Sequence, residues 1–476
     1  MRQRMDKSLY DLLADELPRR LPLHMPGHKR SSLLAPYLKE LRADLDVTEI
    51  EGFDNLHEPG GILLDGMRRA AALWGACRSF YLVNGSTGGI LAGLRALSRA
   101  GDTVIMQREC HLSVHQGVGL LNLRPVYLYP DMVEEYGISS SLSTEKLSRC
   151  LSEHPQASLV VLSCPSYEGV LSDLESLVSL AHQRGLKVLV DAAHGAHLGF
   201  GTLFWGGAVR SGADIVIQSL HKTLPSLTQT AIAHAGSEKA ASLLEEQLDL
   251  FQTSSPSYLL MASIDGCVRL LEERGSELFQ AWQERLGRFC REAQGLKRFT
   301  VFGLDGLPGG VFGHDPSKIL IGCARSGISG YRLLHTLREG YGIDLEMAGQ
   351  RSALAMTGMG DADDALSRLA MALKDIEQNT VPGELSSDDA LPRAEAVLSP
   401  GEALEMHHEL LPVEEVGGRV CAEYVTAYPP GIPLLVPGER ITGEIIGAIH
   451  RAGSLMKSRS KAKGGQIEVL KAVSEL

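Results

Sequence analysis

The feature that most constrains the fold is an alternation of short apolar segments with amphipathic ones, which starts near residue 61 of the 476-residue chain. Apolar runs at 80–83, 159–163 and 186–190 read as buried strands, and segments such as 144–153 have helical spacing. This alternation predicts an α/β fold with a mainly parallel sheet that helices cover on both faces. In such sheets the chemistry lies beyond the carboxyl ends of the strands.

The rest of the chain suggests smaller units after this layer. A helical region is predicted over 257–295, and later strands are predicted at 318–323, 344–347 and 353–357. Ser399-Pro-Gly-Glu402 has the spacing of a capping box and begins the last unit. We predict an N-terminal segment 1–60 contributing to the active site and dimer, a large domain 61–295, a small α+β domain 296–380, a Pro-, Ser- and acid-rich linker 381–398, and a C-terminal domain 399–476.

Charge and composition exclude several classes of protein. The net charge is −12, from 46 basic and 58 acidic residues, which disfavours binding to nucleic acid or anionic membranes. The sequence has neither a secretory signal nor an apolar run of membrane-spanning length, and its eight cysteines form no Cys-x-x-Cys pair. We therefore expect a cytoplasmic protein with a small-molecule partner and no nucleic-acid or membrane partner.

Three features at predicted strand ends suggest a site that binds a ligand or cofactor. The turn Asn84-Gly-Ser-Thr-Gly-Gly89 precedes a helix and offers donors to a phosphate. Asp191 and Lys222 each follow an apolar strand. Taken one at a time, each has an ordinary explanation: the turn can be a capped strand-to-helix turn, Asp191 a helix cap and Lys222 a solvated side chain. Together they fit pyridoxal phosphate, which needs a lysine amine, an anion near its pyridine nitrogen and a phosphate anchor.

A metal site is a further possibility that the histidine spacings raise. His111 and His115 are four residues apart, and His194 and His197 are three apart, both usable spacings for ligands. No His-Glu-x-x-His motif is present, and the cofactor cavity explains these histidines better. We predict no metal.

The lysine segment Gln218-Ser-Leu-His-Lys-Thr-Leu-Pro-Ser-Leu-Thr-Gln229 resembles that of the bacterial Orn/Lys/Arg decarboxylases, which are fold type I pyridoxal-phosphate enzymes. Six further segments resemble family motifs and occur in family order: Pro22-Leu-His-Met-Pro-Gly-His-Lys29, Asp46-Val-Thr-Glu-Ile-Glu-Gly-Phe-Asp-Asn-Leu-His57, Asn84-Gly-Ser-Thr87, Asp191-Ala-Ala-His-Gly-Ala-His197, Thr253-Ser-Ser-Pro-Ser-Tyr258 and Tyr428-Pro-Pro-Gly-Ile-Pro-Leu-Leu-Val-Pro-Gly-Glu439. The resemblance therefore covers nearly the whole chain.

The resemblance implies an aspartate aminotransferase-like large domain with a mainly parallel seven-stranded sheet, followed by smaller α+β C-terminal domains. It implies that Lys222, Asp191 and His111 are catalytic: Lys222 binds the cofactor covalently, Asp191 pairs with its pyridine nitrogen, and His111 stacks on its ring. Further implied cofactor contacts are Gly85, Ser86, Thr87, Ala193, His194, Ser219, His221, Thr253 and Ser254.

The resemblance also implies a homodimer, or a higher oligomer such as a tetramer, with a shared active site. Thr253 to Ser255 would reach the cofactor of a neighbouring subunit. Longer members of the family carry an N-terminal flavodoxin-like domain, and because the first motif begins near residue 22 we expect the short form without it.

The implied reaction is decarboxylation of a basic L-amino acid to carbon dioxide and an amine that can serve as a polyamine precursor. Arginine is the first choice, followed by lysine and ornithine. A guanidinium favours a bidentate carboxylate, whereas an ammonium accepts a looser cage. Candidate substrate residues are Glu49, Asp54, His57, Glu58, Glu346, Glu423 and Tyr428.

Two alternatives stay open at this point. One is another pyridoxal-phosphate reaction on the same scaffold, of the aminotransferase or aldolase type. The other is a protein that binds the cofactor without turnover. Either Lys222 or a nearby histidine could return the proton to Cα of the substrate.

Overall fold

A computed structural model describes residues 7–23, 25–26, 28–30, 37–385, 392–427, 431–453, 456–458 and 465–471. The chain divides into two compact units. The first combines Met1–Leu97, Leu189–Glu284 and Gly358–Asp361. The second combines Ser98–Val188, Arg285–Thr357 and Ala362–Leu476. Each unit is therefore assembled from segments that are distant in the sequence.

The strands are short, and most follow the apolar runs of the sequence. The first ten are β1 (Arg78–Leu82), β2 (Thr103–Gln107), β3 (Arg124–Leu128), β4 (Met132–Val133), β5 (Ile138–Ser139), β6 (Ala157–Ser163), β7 (Val170–Leu171), β8 (Lys187–Asp191), β9 (Ile215–Ser219) and β10 (Ala231–Ala235). The others are β11 (Thr300–Val301), β12 (Gly313–His314), β13 (Lys318–Gly322), β14 (Met347–Ala348), β15 (Ser352–Met356), β16 (Glu395–Ala396), β17 (His408–Pro412), β18 (Val425–Ala427), β19 (Ile432–Leu435), β20 (Glu439–Arg440), β21 (Met456–Lys457) and β22 (Gln466–Leu470).

Fourteen α-helices are assigned within the described residues, and the longest follows the predicted helical region. They are α1 (Leu9–Glu16), α2 (Tyr37–Glu40), α3 (Ile62–Trp74), α4 (Gly85–Leu97), α5 (Leu112–Leu120), α6 (Thr144–Glu153), α7 (Leu174–Gln183), α8 (Leu220–Thr223), α9 (Glu238–Phe251), α10 (Tyr258–Ala293), α11 (Gly330–Tyr341), α12 (Ala365–Asn379), α13 (Pro400–Glu405) and α14 (Gly443–Ala452). In the described part of the chain, no helix is long and apolar enough to cross a membrane.

The largest sheet has seven strands in the spatial order β1, β10, β9, β8, β6, β2, β3. β2 pairs in parallel with β3 and β6, and β8 pairs in parallel with β9. β10 is antiparallel to both β9 and β1. All five positions of β9 are buried, as expected for a strand between two covered faces. The predicted mainly parallel seven-stranded sheet is confirmed.

Helix α4 lies close to the sheet because glycines face it. A Cβ on Gly89 would stand 2.5 Å from Leu82 Cδ1 and 3.0 Å from Ile217 Cγ2. A Cβ on Gly93 would stand 2.9 Å from Leu189 Cδ1. Side chains at these two positions would push the helix outward. The glycines therefore fix where the first turn of α4 meets the ends of the strands.

The second unit also contains a four-stranded sheet in the order β11, β13, β15, β14. The strand predicted at 344–347 is wrong: the strand formed is β14, two residues long at 347–348. Met347 and Ala348 pair with Leu354 and Ala353 of β15, and the ladder includes no earlier residue of this segment. Asp344 is exposed in the connection after α11, where it accepts a 2.6 Å hydrogen bond from Arg338 Nε.

The last part of the chain forms small sheets around its own core, which includes Val425, Ile445 and Ile467. The predicted capping box at α13 is confirmed. Ser399 Oγ accepts from Glu402 N at 3.3 Å, and Glu402 Oε2 accepts from Ser399 N at 2.9 Å. In the predicted linker, residues 395–396 pair with β20, and residues 386–391 lie outside the described residues. The five-segment division stays a prediction.

Candidate active site

The site begins with the neighbouring parallel strands β8 and β9, whose carboxyl ends meet at one edge of the sheet. Asp191 is the last residue of β8 and is 7% exposed. Its Oδ1 accepts a 3.1 Å hydrogen bond from Ala193 N, so the carboxylate braces the turn that follows the strand. Ala192 N donates to the Ile217 carbonyl at 2.9 Å and ties this turn to β9.

Lys222 lies one turn beyond the end of β9, in the short helix α8. Its Nζ is 2.9 Å from Nε2 of His194, a buried residue of the turn after β8. The predicted strand-end amine and the predicted strand-end carboxylate therefore belong to two segments that contact each other. When the amine carries its proton, Nζ donates to the ring nitrogen of His194.

A chain of buried polar groups supports this turn from behind. The Ser79 hydroxyl lies 2.7 Å from His234 Nδ1, and His234 Nε2 lies 3.1 Å from Gln218 Oε1. Gln218 Nε2 donates to the Gly195 carbonyl at 3.2 Å. Because the amide oxygen of Gln218 only accepts, Nε2 of His234 carries the hydrogen and Nδ1 accepts from Ser79. These hydrogen bonds together fix the backbone immediately after His194.

These supporting residues were missed by the sequence analysis. A histidine inside the apolar run Ala231-Ile-Ala-His-Ala235 was the available signal, because a buried polar group needs a partner. Its partners, Ser79 on β1 and Gln218 on β9, lie on other strands, so the sequence alone did not indicate that they bind this histidine.

The first turn of α4 carries the predicted phosphate contacts. Gly85, Ser86 and Thr87 are its first three residues, and Gly85 has a φ of 70°, in the left-handed region that favours glycine. Ser86 is half-buried and Thr87 is exposed. Unsatisfied backbone N–H groups and the helix dipole favour an anion at such an end. This turn thus supplies both backbone and hydroxyl donors.

Two residues on the lysine segment complete the predicted phosphate contacts. Ser219 is fully buried, and its Oγ has no hydrogen-bond partner among the described residues. An orphaned buried hydroxyl is expensive, and an acceptor such as a phosphate oxygen would satisfy it. His221 Nδ1 donates to the Thr230 carbonyl at 2.9 Å. Burial lowers the pKa of His221, and the charge of Lys222 lowers it further. The residues present fit the cofactor.

The loop of Thr253 and Ser254 is exposed on the surface of the first unit. His57 holds it in place: Nε2 lies 2.8 Å from the Thr253 carbonyl, and Nδ1 lies 2.9 Å from Asp249 Oδ1. Burial lowers the pKa of His57, but the Thr253 carbonyl, Asp249 and the charge of Glu49 outweigh burial and leave the pKa raised.

His111 belongs to the second unit, where it caps α5. Its Nδ1 accepts from Ser113 N at 3.2 Å and lies 2.8 Å from Ser113 Oγ. With Nδ1 used as an acceptor, the hydrogen of the neutral ring is on Nε2. The ring of His111 is therefore fixed in both orientation and tautomer.

The candidate substrate residues fall in different surroundings. Asp54 accepts four backbone N–H groups, at 2.9 to 3.1 Å, from Asn55, Gly60, Gly61 and Leu63. Its carboxylate is thus engaged in holding the start of α3. Glu49 differs, because its Oε1 is buried and accepts no hydrogen bond from the described residues.

The other candidates lie in the second unit, on the surface of the first unit or outside the described residues. Glu346 accepts from the Tyr167 hydroxyl, and Glu423, which is 1% exposed, accepts from Glu468 N at 2.9 Å. Glu58 is exposed in the first unit, and Tyr428 lies outside the described residues. Among the described side chains, no group of three or more His, Cys, Asp or Glu residues is arranged to hold a metal ion.

A lysine and a buried carboxylate at neighbouring strand ends, beside a helix N-terminus rich in donors, define a pyridoxal-phosphate-dependent enzyme of fold type I. Solved structures share this fold. The Francisella novicida lysine decarboxylase LdcF superposes with a TM-score of 0.81 at 19% identity, covering 97% of this chain and 80% of that one. Serine palmitoyltransferase of Sphingomonas wittichii gives a TM-score of 0.53 at 17% identity, covering 66% and 75%.

The chain belongs to the Orn/Lys/Arg decarboxylase family. The family's major-domain model matches residues 20–305, and its C-terminal-domain model matches residues 386–453. Arginine decarboxylase of Bacillus subtilis is 32% identical over 438 residues, which cover 90% of this chain and 89% of that protein. Constitutive lysine decarboxylase of Escherichia coli is 23% identical over 501 residues, which cover 85% and 69%. The predicted family and fold are confirmed.

Proposed function

We propose that this amino-acid decarboxylase acts on a basic L-amino acid, with arginine preferred over lysine and ornithine. The observation that carries the proposal is the Lys222–His194 contact beside Asp191, which places an amine and a carboxylate at one sheet edge. Support for arginine comes from relatives at about 30% identity that are named arginine decarboxylase, in Bacillus subtilis and Bacillus anthracis.

The mechanism follows from what each residue can hold or move. Pyridoxal phosphate, when bound, withdraws electrons from Cα of the substrate so that the carboxylate can leave as carbon dioxide. Asp191 is buried, so its negative charge is poorly screened and suits it to hold a proton on a pyridine nitrogen. The first turn of α4 and the orphaned Ser219 hydroxyl bind and orient the phosphate.

Lys222 would hold the cofactor through its side-chain amine. His194 stands at hydrogen-bond distance from Nζ, so a proton can pass between the two nitrogens. We propose this pair as the acid that returns a proton to Cα after carbon dioxide has left. His111, with its hydrogen held on Nε2, is proposed to stack on the ring of the cofactor.

We propose Glu49 as the residue that meets the cationic end of the substrate. Its buried Oε1 accepts no hydrogen bond from the described residues, and a carboxylate in this state gains most from a guanidinium or ammonium partner. Its charge also acts on nearby groups: burial raises the pKa of Tyr258, and the charges of Glu49 and Asp54 raise it further. His57, Glu346, Glu423 and Tyr428 stay predictions as substrate residues.

We further propose a cytoplasmic homodimer with a shared active site. None of the eight cysteines, all of which lie within the described residues, forms a disulfide bond, which suits a reducing compartment. The exposed Thr253–Ser255 loop follows a helix whose Leu250 side chain is 73% exposed. The dimer is proposed from the resemblance to the family, since a single exposed leucine is ordinary on a protein surface.

The proposal is tested by incubating the holoenzyme with L-arginine, L-lysine and L-ornithine separately, and by measuring carbon dioxide and amine. We expect equal amounts of both products, formed fastest from arginine. Lys222→Ala should lose turnover and the visible absorbance of the bound cofactor together, because no amine remains to attach it. A keto acid or an aldehyde as the main product, or turnover by Lys222→Ala without added amine, would contradict the proposal.

A further inference from the structure

The turn that carries His111 is held by residues more than three hundred positions later in the chain. Arg108 comes directly after β2, three residues before His111. Its guanidinium donates to Glu439 through Nε to Oε1 and through Nη2 to Oε2, both at 3.0 Å. The side chains are 0% and 1% exposed, so this is a fully buried, bidentate ion pair.

Further contacts of the pair lock it to the C-terminal domain. Arg108 Nη1 donates to the Pro433 carbonyl at 2.7 Å, and Val436 N donates to Glu439 Oε2 at 2.9 Å. The guanidinium also lies over the ring of Tyr127, 5.4 Å from its centroid. Every one of these partners is in the second unit, so the arrangement is complete within one compact body.

Two other hydrogen bonds join the same domain to the far side of the turn. Leu112 N donates to the Gly431 carbonyl at 3.0 Å, and the Tyr424 hydroxyl donates to the His115 carbonyl at 3.0 Å. His115 Nε2 in turn lies 3.2 Å from the Arg108 carbonyl. The backbone is therefore fixed before His111, directly after it and one helical turn later.

We infer that Arg108 and Glu439 are positioning residues, through which the C-terminal domain holds His111 in place for the reaction. The inference rests on the proposed contact between His111 and the cofactor. A contribution to stability does not explain the pair. Removing two charges from water costs most of the free energy that their attraction gains, and apolar side chains of similar size stabilise a core equally well. What a bidentate pair adds is a fixed geometry.

The test is the double variant Arg108→Met/Glu439→Leu, which removes both charges and leaves neither one buried alone. We expect kcat to fall about 10- to 100-fold, since a misplacement of about 1 Å costs on the order of 100-fold, while KM for arginine changes little. The circular dichroism of the bound cofactor in the visible region should weaken. The thermal midpoint should fall, because the Pro433 carbonyl and Val436 N lose their hydrogen-bond partners, so kcat and dichroism are compared well below the midpoint of the variant.

Arg440→Met/Glu395→Leu is the control, because it removes an exposed Arg–Glu pair next to Glu439 in sequence whose described hydrogen bonds do not go to the His111 turn. It should keep the wild-type kcat and dichroism. In a His111→Ala background, Arg108→Met/Glu439→Leu should cause no further loss of kcat, because the residue it positions is gone. An equal additional loss in that background, or dichroism and kcat like those of the control, would overturn the inference.

Tyr424→Phe provides a second route should the double variant not fold. It removes only the hydroxyl that holds the His115 carbonyl, and we expect a smaller loss of kcat that also disappears in the His111→Ala background. If Tyr424→Phe lowers kcat in the His111→Ala background as much as it does in the wild type, Tyr424 does not act by positioning His111. If the wild type decarboxylates none of the three amino acids, the proposed function fails, yet the dichroism of the bound cofactor still decides whether the pair positions His111.

Discussion

His234 shows how a single buried residue ties the stability of the site to pH. Its ring lies between Ser79 and Gln218 and is 1% exposed. Burial lowers the pKa of His234 to about 3. The unfolded chain binds a proton at this residue near the ordinary histidine value of about 6.5, whereas the folded chain does not. The stabilisation is therefore complete above about pH 6.5 and is lost progressively as the pH falls toward 3.

The variant His234→Gln isolates this effect, because glutamine is neutral throughout the range. Between pH 6 and pH 5, the free energy of unfolding of the wild type should fall by up to about 1.4 kcal/mol per pH unit more than that of the variant. Urea unfolding of both proteins at several pH values measures the difference. Parallel pH profiles for the two proteins would show that His234 is protonated in the folded state.

Asp54 and Glu49, on the same N-terminal loop, are expected to behave in opposite ways. Asp54→Ala removes four accepted hydrogen bonds, three of them from residues at the start of α3, and should lower stability by about 1–2 kcal/mol, as for other lost helix caps, with no change in KM for arginine. Glu49→Gln should raise KM for arginine about tenfold or more, because a neutral amide cannot form a charge-assisted bond, with no loss of stability.

Steady-state kinetics and thermal melts of the two variants check this pair of expectations. Each variant is the control for the other, because both remove one carboxylate from the same loop. A higher KM with unchanged stability for Asp54→Ala would mean that its carboxylate binds substrate after all.

The elements that could be predicted from sequence are those whose signal is local. The apolar strands of the seven-stranded sheet, the long helix and the capping box at Ser399 depend on residues within a few positions of one another, and they were found. The Arg108–Glu439 pair joins positions 331 residues apart, so no local sequence pattern predicts it. The sequence offered Asp54 only as a candidate substrate residue, because the backbone groups that it accepts come from a turn whose path is fixed only by folding.

For the whole molecule, the proposed sharing of the active site between two subunits makes a prediction about mixed dimers. Ser254 is exposed on its own protomer, so Ser254→Trp should fold normally. The indole would block the phosphate site of the neighbouring subunit if this loop reaches across the dimer. Ser254→Trp and Lys222→Ala homodimers should therefore both lack activity, each for a different reason.

In a hybrid dimer the two lesions fall in one site and leave the other site intact. Random reassembly of an equal mixture should therefore restore about a quarter of the wild-type activity, because half of the dimers are hybrids and each has one working site out of two. Co-expression with two affinity tags, followed by assay of the purified hybrid, measures this directly. If Ser254 serves the site of its own subunit, neither site of the hybrid is intact and its activity stays at the level of the two parents.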